Sequence, residues 1–387
     1  MRAVGNTAGS PLRSFLQGVR VLDLSQYIPG PMTTLFLTDM GADVLKIEPP
    51  QGDEMRNLGP RGPDGRPVFY DAMNTGKQVR RMNLKDPGEH AQFLQLVDDA
   101  DVVVEGFRPG VMNRLGIDYP VLSARNPGIV MCSISGYGVG TTLGAAAGHD
   151  ANYMALMGAL HRNGTDKPVF FDPPISDVAG SLFAALAIVG ALHGRMRTGR
   201  GCEIDLALAD TVMPLQMMQV ADFGANGTVP GPRTTYLNGG AAYYQVYATG
   251  DGRHIVLGSL EPKFWEMFCR AAGRPDWIPR HADPFPQTAL ETEVASYFRT
   301  LTTEEALAKF GDVDCCFTLI NDLGEALGEP HIAERQLVRG NSTGELQSLF
   351  PVWVDGVPPQ PRENPKVEDQ RDGIVDALDR RPGVARR

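Results

Sequence analysis

Residues 18–50, GVRVLDLSQYIPGPMTTLFLTDMGADVLKIEPP, decide the fold class. Residues 19–24 are short, β-branched and leucine-rich with no alternation, the pattern of a strand buried on both faces. Ile28-Pro29-Gly30-Pro31 then turns the chain. Pro31 suits the first turn of a helix, where its missing N–H would have had no partner anyway. The spacing predicts a helix over 32–40, closed by Gly41, and a second strand over 42–47, ended by Glu48-Pro49-Pro50. Strand, helix, strand in this compass is a βαβ unit with parallel pairing.

Further along, Asp86-Pro87-Gly88 opens a predicted helix over 88–99, and 101–104 and 129–133 read as further strands. Alternating strands and helices give an α/β sheet domain. It is not of the dehydrogenase kind, because no G-x-G-x-x-G joins the first strand to its helix. Gly136-Tyr137-Gly138-Val139-Gly140 has the wrong spacing and reads as a turn after a strand.

The 387 residues suffice for one large or two ordinary domains. A hydrophobic share of 42% suits a soluble globular protein. The net charge of −10 argues against general nucleic-acid binding while leaving room for a local basic pocket. Five cysteines, with no CxxC and no zinc-ligand spacing, suit a reducing cytosol, and cytoplasmic is the expected location. The first sixteen residues hold no apolar run of signal-peptide length. The apolar run 178–193 is short for a bilayer and reads as a core helix, so no membrane partner is expected.

Proton-active side chains gather in 144–192. His149-Asp150 precedes the helical pattern ANYMALMGAL, and Ser176-Asp177 precedes the apolar run. Imidazole suits proton transfer near neutral pH, although a lone histidine also fits a satisfied structural position. Ser176 and Asp177 are residue types favoured as helix caps, so Asp177 has a structural reading as well as a chemical one. The two also pull its pKa in opposite directions, since a helix N-terminus lowers it and burial raises it. Arg108 follows a strand end and suits a phosphate contact or a surface ion pair. Lys77, Arg80, Arg81 and Lys85 form a basic cluster of the kind usually found on solvated faces.

Taken together, these blocks resemble the family III CoA transferases and α-methylacyl-CoA racemases. Residues 18–50, VVVEGFRPGVMNRLGIDY (102–119) and SISGYG (133–138) are similar to three family blocks in the right order. GHDANYMALMGAL (148–160), 239–265 and GEPHIAER (328–335) are similar to the racemase branch. The resemblance implies an interlocked homodimer with a Rossmann-like α/β large domain and a smaller α+β domain. The large domain would comprise 1–225 plus a return segment at 324–387, with the small domain at 240–323. It implies a racemase or epimerase of 2-methyl-branched acyl-CoA thioesters in lipid metabolism, needing no metal or cofactor beyond the substrate's CoA. His149 and Asp177 would be the two bases. Glu261 would orient the histidine, and the Asp150 amide would face the enolate oxygen. Lys77, Arg108 and Tyr137 would contact CoA. The alternative within the family is a CoA transferase in which Asp177 attacks the thioester, and transferases generally lack a histidine at the position of His149.

The chain also departs from the family pattern. Pro49 stands where many members carry an arginine, and Arg56 is a candidate to supply the missing CoA contact. The glycine-rich run after the acidic residue is Val178-Ala179-Gly180-Ser181, and the DGG of the small domain is Asn238-Gly239-Gly240.

Overall fold

The computed structural model describes residues 10–367. Residues 1–9 and 368–387 lie outside the described residues, and with them parts of the signal-peptide and return-segment expectations. The chain divides into two compact units. One holds 10–145, Gly180–Ala207 and 336–367, and the other Ala146–Ala179 and Leu208–Arg335.

The first unit is built on a seven-stranded sheet in the order Lys366–Val367, Gln78–Arg81, Asp43–Glu48, Arg20–Asp23, Val102–Glu105, Val130–Ser135, Glu203–Ala207. Every pairing is parallel. Strands buried on both faces need continuous apolar runs, and Val102, Val103 and Val104 are fully buried. The order reverses between Arg20–Asp23 and Val102–Glu105. That is the switch point, outside whose carboxyl ends open α/β sheets bind ligands. The helix spans Pro29–Asp39, three residues earlier than predicted, because both prolines fit a first turn. Gly30 is required by close approach, since a Cβ there would lie 2.1 Å from the Ser25 Cβ.

Beneath the switch point lies a buried charge network. Lys46 pairs with Asp53 at 3.0 Å, and Lys77 with Asp23 at 3.1 Å, all four side chains being buried. Burial alone would raise the Asp23 carboxyl. Lys46 and Lys77 overcome it and hold Asp23 well below the carboxylate range. Burial also pulls the Lys77 ammonium down to about 8, with Asp23 opposing.

The return segment is tied in by Arg362. Its Nη1 donates to both Asp39 carboxylate oxygens at 2.7 and 2.8 Å, its Nε to Thr75 Oγ1 and its Nη2 to the Ser348 carbonyl. Charge-assisted bonds of this kind are stronger than neutral ones, and all three guanidinium nitrogens are engaged. The long helix Ile175–Thr198 is apolar and long enough to cross a membrane, with a mean hydropathy of 1.9. In this fold it buries Ala184, Ala185, Ile188 and Leu192, and its Arg195 pairs with Asp101 at 2.8 Å.

The second unit holds a three-stranded antiparallel sheet of Tyr244–Ala248, His254–Gly258 and Phe317–Leu319. Helices Pro262–Ala272, Thr288–Phe298 and Thr303–Phe310 pack on an aromatic core of Trp265, Phe268, Trp277, Phe298 and Phe310. This is the expected α+β arrangement, but the boundaries are corrected. Residues 146–179 and 208–225 belong to the second unit, not to a continuous 1–225 domain, and the return begins at Gln336, not at 324. Gln216 explains part of this. Its amide donates to the Met157 and Val212 carbonyls and so holds the two stretches together.

Candidate active site

The cluster lies in the second unit, on the helix Asp150–Leu156 and on the first turn of the helix Ile175–Thr198. His149 caps the helix Asp150–Leu156 from an extended backbone conformation, and its ring is exposed. Asn152 Oδ1 accepts the His149 backbone N–H at 3.1 Å, satisfying an amide the helix start would leave open. The Tyr153 hydroxyl donates to the Gly148 carbonyl at 2.6 Å. His149 is thereby fixed from both sides in sequence.

The second helix starts at Ile175, so Asp177 lies inside its first turn and not at the cap. The cap comes from elsewhere. Asp150 Oδ1 accepts the N–H of Ser176 at 2.6 Å and of Asp177 at 3.2 Å. A carboxylate bridging two helix starts satisfies orphan donors and complements the helix dipole. The Ser176 hydroxyl donates to the Leu208 carbonyl at 2.8 Å and pins the same turn.

This arrangement resolves the opposed influences on Asp177. The first-turn N–H groups that would lower its pKa are bonded to Asp150. Burial, and then the Asp150 charge, push the Asp177 carboxyl up to about 6. The site therefore combines an exposed imidazole with a carboxyl that changes charge near neutrality.

Asp150→Asn tests this directly. The amide keeps an oxygen for the two N–H groups but loses the charge. The acid limb of the pH–kcat/KM profile is expected to move down by roughly 1 unit. A limb that stays or moves up would show that Asp150 does not act on Asp177 through its charge.

The other candidate residues fare differently. Glu261 caps the helix Pro262–Ala272 of the second unit, and its side chain is exposed. No hydrogen bond joins it to His149 among the described residues. Lys77 is corrected. All three ammonium hydrogens are taken up internally, by Asp23, the Pro31 carbonyl and Asn74, so none is left for a phosphate. Arg56 is likewise largely committed. It forks onto Glu48 at 2.9 Å twice and lies over the Tyr70 ring at 3.7 Å. Arg108 is exposed just past Val102–Glu105, at the switch point, and no ion pair holds it among the described residues. Tyr137 is half-buried in the bend after Val130–Ser135, where the Gly138 N–H donates to Ser135 Oγ.

Sequence reasoning missed the Asp150 carboxylate as the cap of a helix 26 residues away, since no local pattern encodes it.

Known proteins share this fold. Residues 16–371 match the model of CoA-transferase family III. The chain is 30% identical to the acetyl-CoA:oxalate CoA-transferase of Acetobacter aceti, over 91% of this chain and 93% of that one. It is also 30% identical to the human α-methylacyl-CoA racemase, over 83% of this chain and 81% of that one. The crystal structure of a CAIB/BAIF family protein from Brucella suis superposes with a TM-score of 0.80 at 25% identity, covering 93% of this chain and 97% of that one.

The protein is thus an enzyme of the kind that comprises CoA transferases and acyl-CoA racemases. The chain belongs to CoA-transferase family III.

Proposed function

We propose that the protein is an acyl-CoA racemase or epimerase that inverts the α-carbon of a 2-methyl-branched thioester by two-base proton transfer. The observation that carries this reading is the Asp177 carboxyl at about 6, on a helix whose first turn is capped by the residue next to His149. A two-base racemase works in the state where its bases share one proton. In one direction the carboxylate takes the α-proton and the imidazolium delivers one to the opposite face. In the other direction the roles exchange. Both states call for a carboxyl that gains and loses its proton near neutrality, and the Asp177 carboxyl lies at about 6. His149 supports the racemase reading, because the transferases generally lack a histidine there.

The Asp150 backbone amide, at the first helical position, is suited to donate to the enolate oxygen, where developing charge gains most from a fixed dipole. Arg108 is suited to hold a CoA phosphate beside the switch point. No metal or redox group enters this chemistry, and the reading places the enzyme in the cytoplasm. We also read it as an interlocked homodimer whose partner delivers Glu261 to His149. The exposed apolar residues Met217, Met218, Val220 and Phe223 along the helix Met217–Asn226 support that, since such a patch calls for cover.

The transferase reading rests on the transferase relatives being as similar as the racemases. A single enantiomer of a 2-methylacyl-CoA mixed with a free carboxylic acid separates the two. The opposite enantiomer is expected to appear while the added acid stays free. A thioester of the added acid, with optical purity retained, would decide for the transferase.

A further inference from the structure

The turn after the strand Val102–Glu105 carries Arg108 past the carboxyl end of the sheet. It lies at the switch point, since a Cβ on Gly106 would come within 3.7 Å of the Ser25 Cβ, just beyond Arg20–Asp23. A long side chain on a loose turn loses entropy when it grips a ligand, and a turn fixed in advance reduces that loss.

Glu105 fixes this turn. Its side chain is 5% exposed and folds back along the chain, so that Oε2 accepts the Phe107 N–H at 2.7 Å. The Ser133 hydroxyl, opposite it in the neighbouring strand, donates to the same carboxylate. Burial pushes the Glu105 carboxyl up, and these two bonds oppose it. The Phe107 ring packs on the core that holds Val103 and Met112. On the other side, the Val111 N–H donates to the Arg108 carbonyl at 3.1 Å. The main chain is thus held on both sides of Arg108, while its guanidinium is exposed and unpaired among the described residues.

We propose that Glu105 is a positioning residue for CoA, fixing the turn that presents Arg108 to a phosphate of the substrate. The inference deepens the reading of Arg108 as a phosphate contact and rests on it. Glu105 takes no part in the proton transfer. It acts through its acceptor oxygen on the Phe107 N–H, and so through Arg108.

The thioesters of 2-methylpropanoic acid with CoA and with pantetheine share the acyl group and the pantetheine arm, and only the first has phosphates. Their α-carbon holds one proton and no stereocentre, so the entry of deuterium from heavy water gives kcat/KM for both. Glu105→Ala is expected to lower kcat/KM for the CoA thioester by at least about tenfold. The pantetheine thioester should stay within about twofold. Arg108→Ala should show the same pattern, and the double variant should lose no more than Arg108→Ala alone, because Glu105 acts through that residue. Glu105→Gln keeps an amide oxygen for the Phe107 N–H and the Ser133 hydroxyl, so it should stay within about twofold of the unaltered enzyme with both thioesters. Glu105→Met serves if the alanine variant does not fold.

An unchanged kcat/KM for the CoA thioester in Glu105→Ala would overturn the proposal. So would an equal loss with both thioesters, which would make Glu105 a support of the fold alone. Losses that multiply in the double variant would also overturn it, as would a Glu105→Gln variant as slow as Glu105→Ala, which would assign the effect to charge. A full-rate CoA thioester in Arg108→Ala would overturn the phosphate reading of Arg108 and the proposal with it. Exchange with neither thioester in the unaltered enzyme would overturn the racemase reading together with the proposal.

Discussion

His149→Ala is expected to slow racemisation by at least about 10³-fold, the scale of general acid–base catalysis. The loss should be asymmetric in hydrogen exchange. The enantiomer whose α-proton faces His149 stops exchanging with solvent, while the other still gives its proton to Asp177 and regains one from the same side. The His149 ring is exposed, and the helix start is held by its backbone N–H and by Asn152, so removing the imidazole leaves the local fold intact. Circular dichroism and an unchanged Tm check that. In the transferase reading the same variant keeps moving CoA between acids, because Asp177 alone attacks the thioester. Exchange of both enantiomers at the original rate would remove His149 from the mechanism.

Asp177→Asn is expected to give the mirror-image result, with racemisation lost on the same scale and exchange surviving only on the face of His149. It carries a second consequence, for stability. The folded pKa of about 6 lies above the ordinary carboxyl value of 3.8. The folded state therefore binds more protons than the unfolded state between these values, and stability falls as pH rises through that window. At pH 7 the ionised carboxylate costs up to about 3 kcal/mol. Asparagine removes this cost, so the variant should be the more stable protein at neutral pH, with the advantage disappearing below about pH 4. Urea unfolding at the two pH values measures it. A variant less stable at pH 7 would mean that Asp177 is not held against its charge.

Four of the seven strands of the sheet were legible in the sequence, while Gln78–Arg81, Glu203–Ala207 and Lys366–Val367 were not. The opening βαβ unit announces itself through uninterrupted apolar strands and the two prolines, and each predicted strand lies within two residues of the observed one. The misreadings share a cause: each depends on what a residue meets far along the chain. Lys77 looks like a member of a basic surface cluster. Its inward direction depends on Asn74 and on Asp23, which lies 54 residues away in the sequence. Ser176-Asp177 looks like a cap, but Asp150 fills that role from another helix and draws both residues into the first turn. Local propensity was right about the chemistry and wrong about which residue performs it. The unit boundaries were misjudged for the same reason, because the bonds from Gln216 to Met157 and from Ser176 to Leu208 cross stretches with no common pattern.

The opposed roles of His149 and Asp177 at one carbon are tested most directly by the unaltered enzyme in deuterated water. A single enantiomer of a 2-methylacyl-CoA is added, and the α-carbon is followed by mass and by optical purity. The two-base account predicts that the inverted product carries one deuterium from its first appearance and that optical purity falls to that of the equilibrium mixture. An α-proton retained while optical purity holds, with CoA passing to an added carboxylic acid, would contradict it.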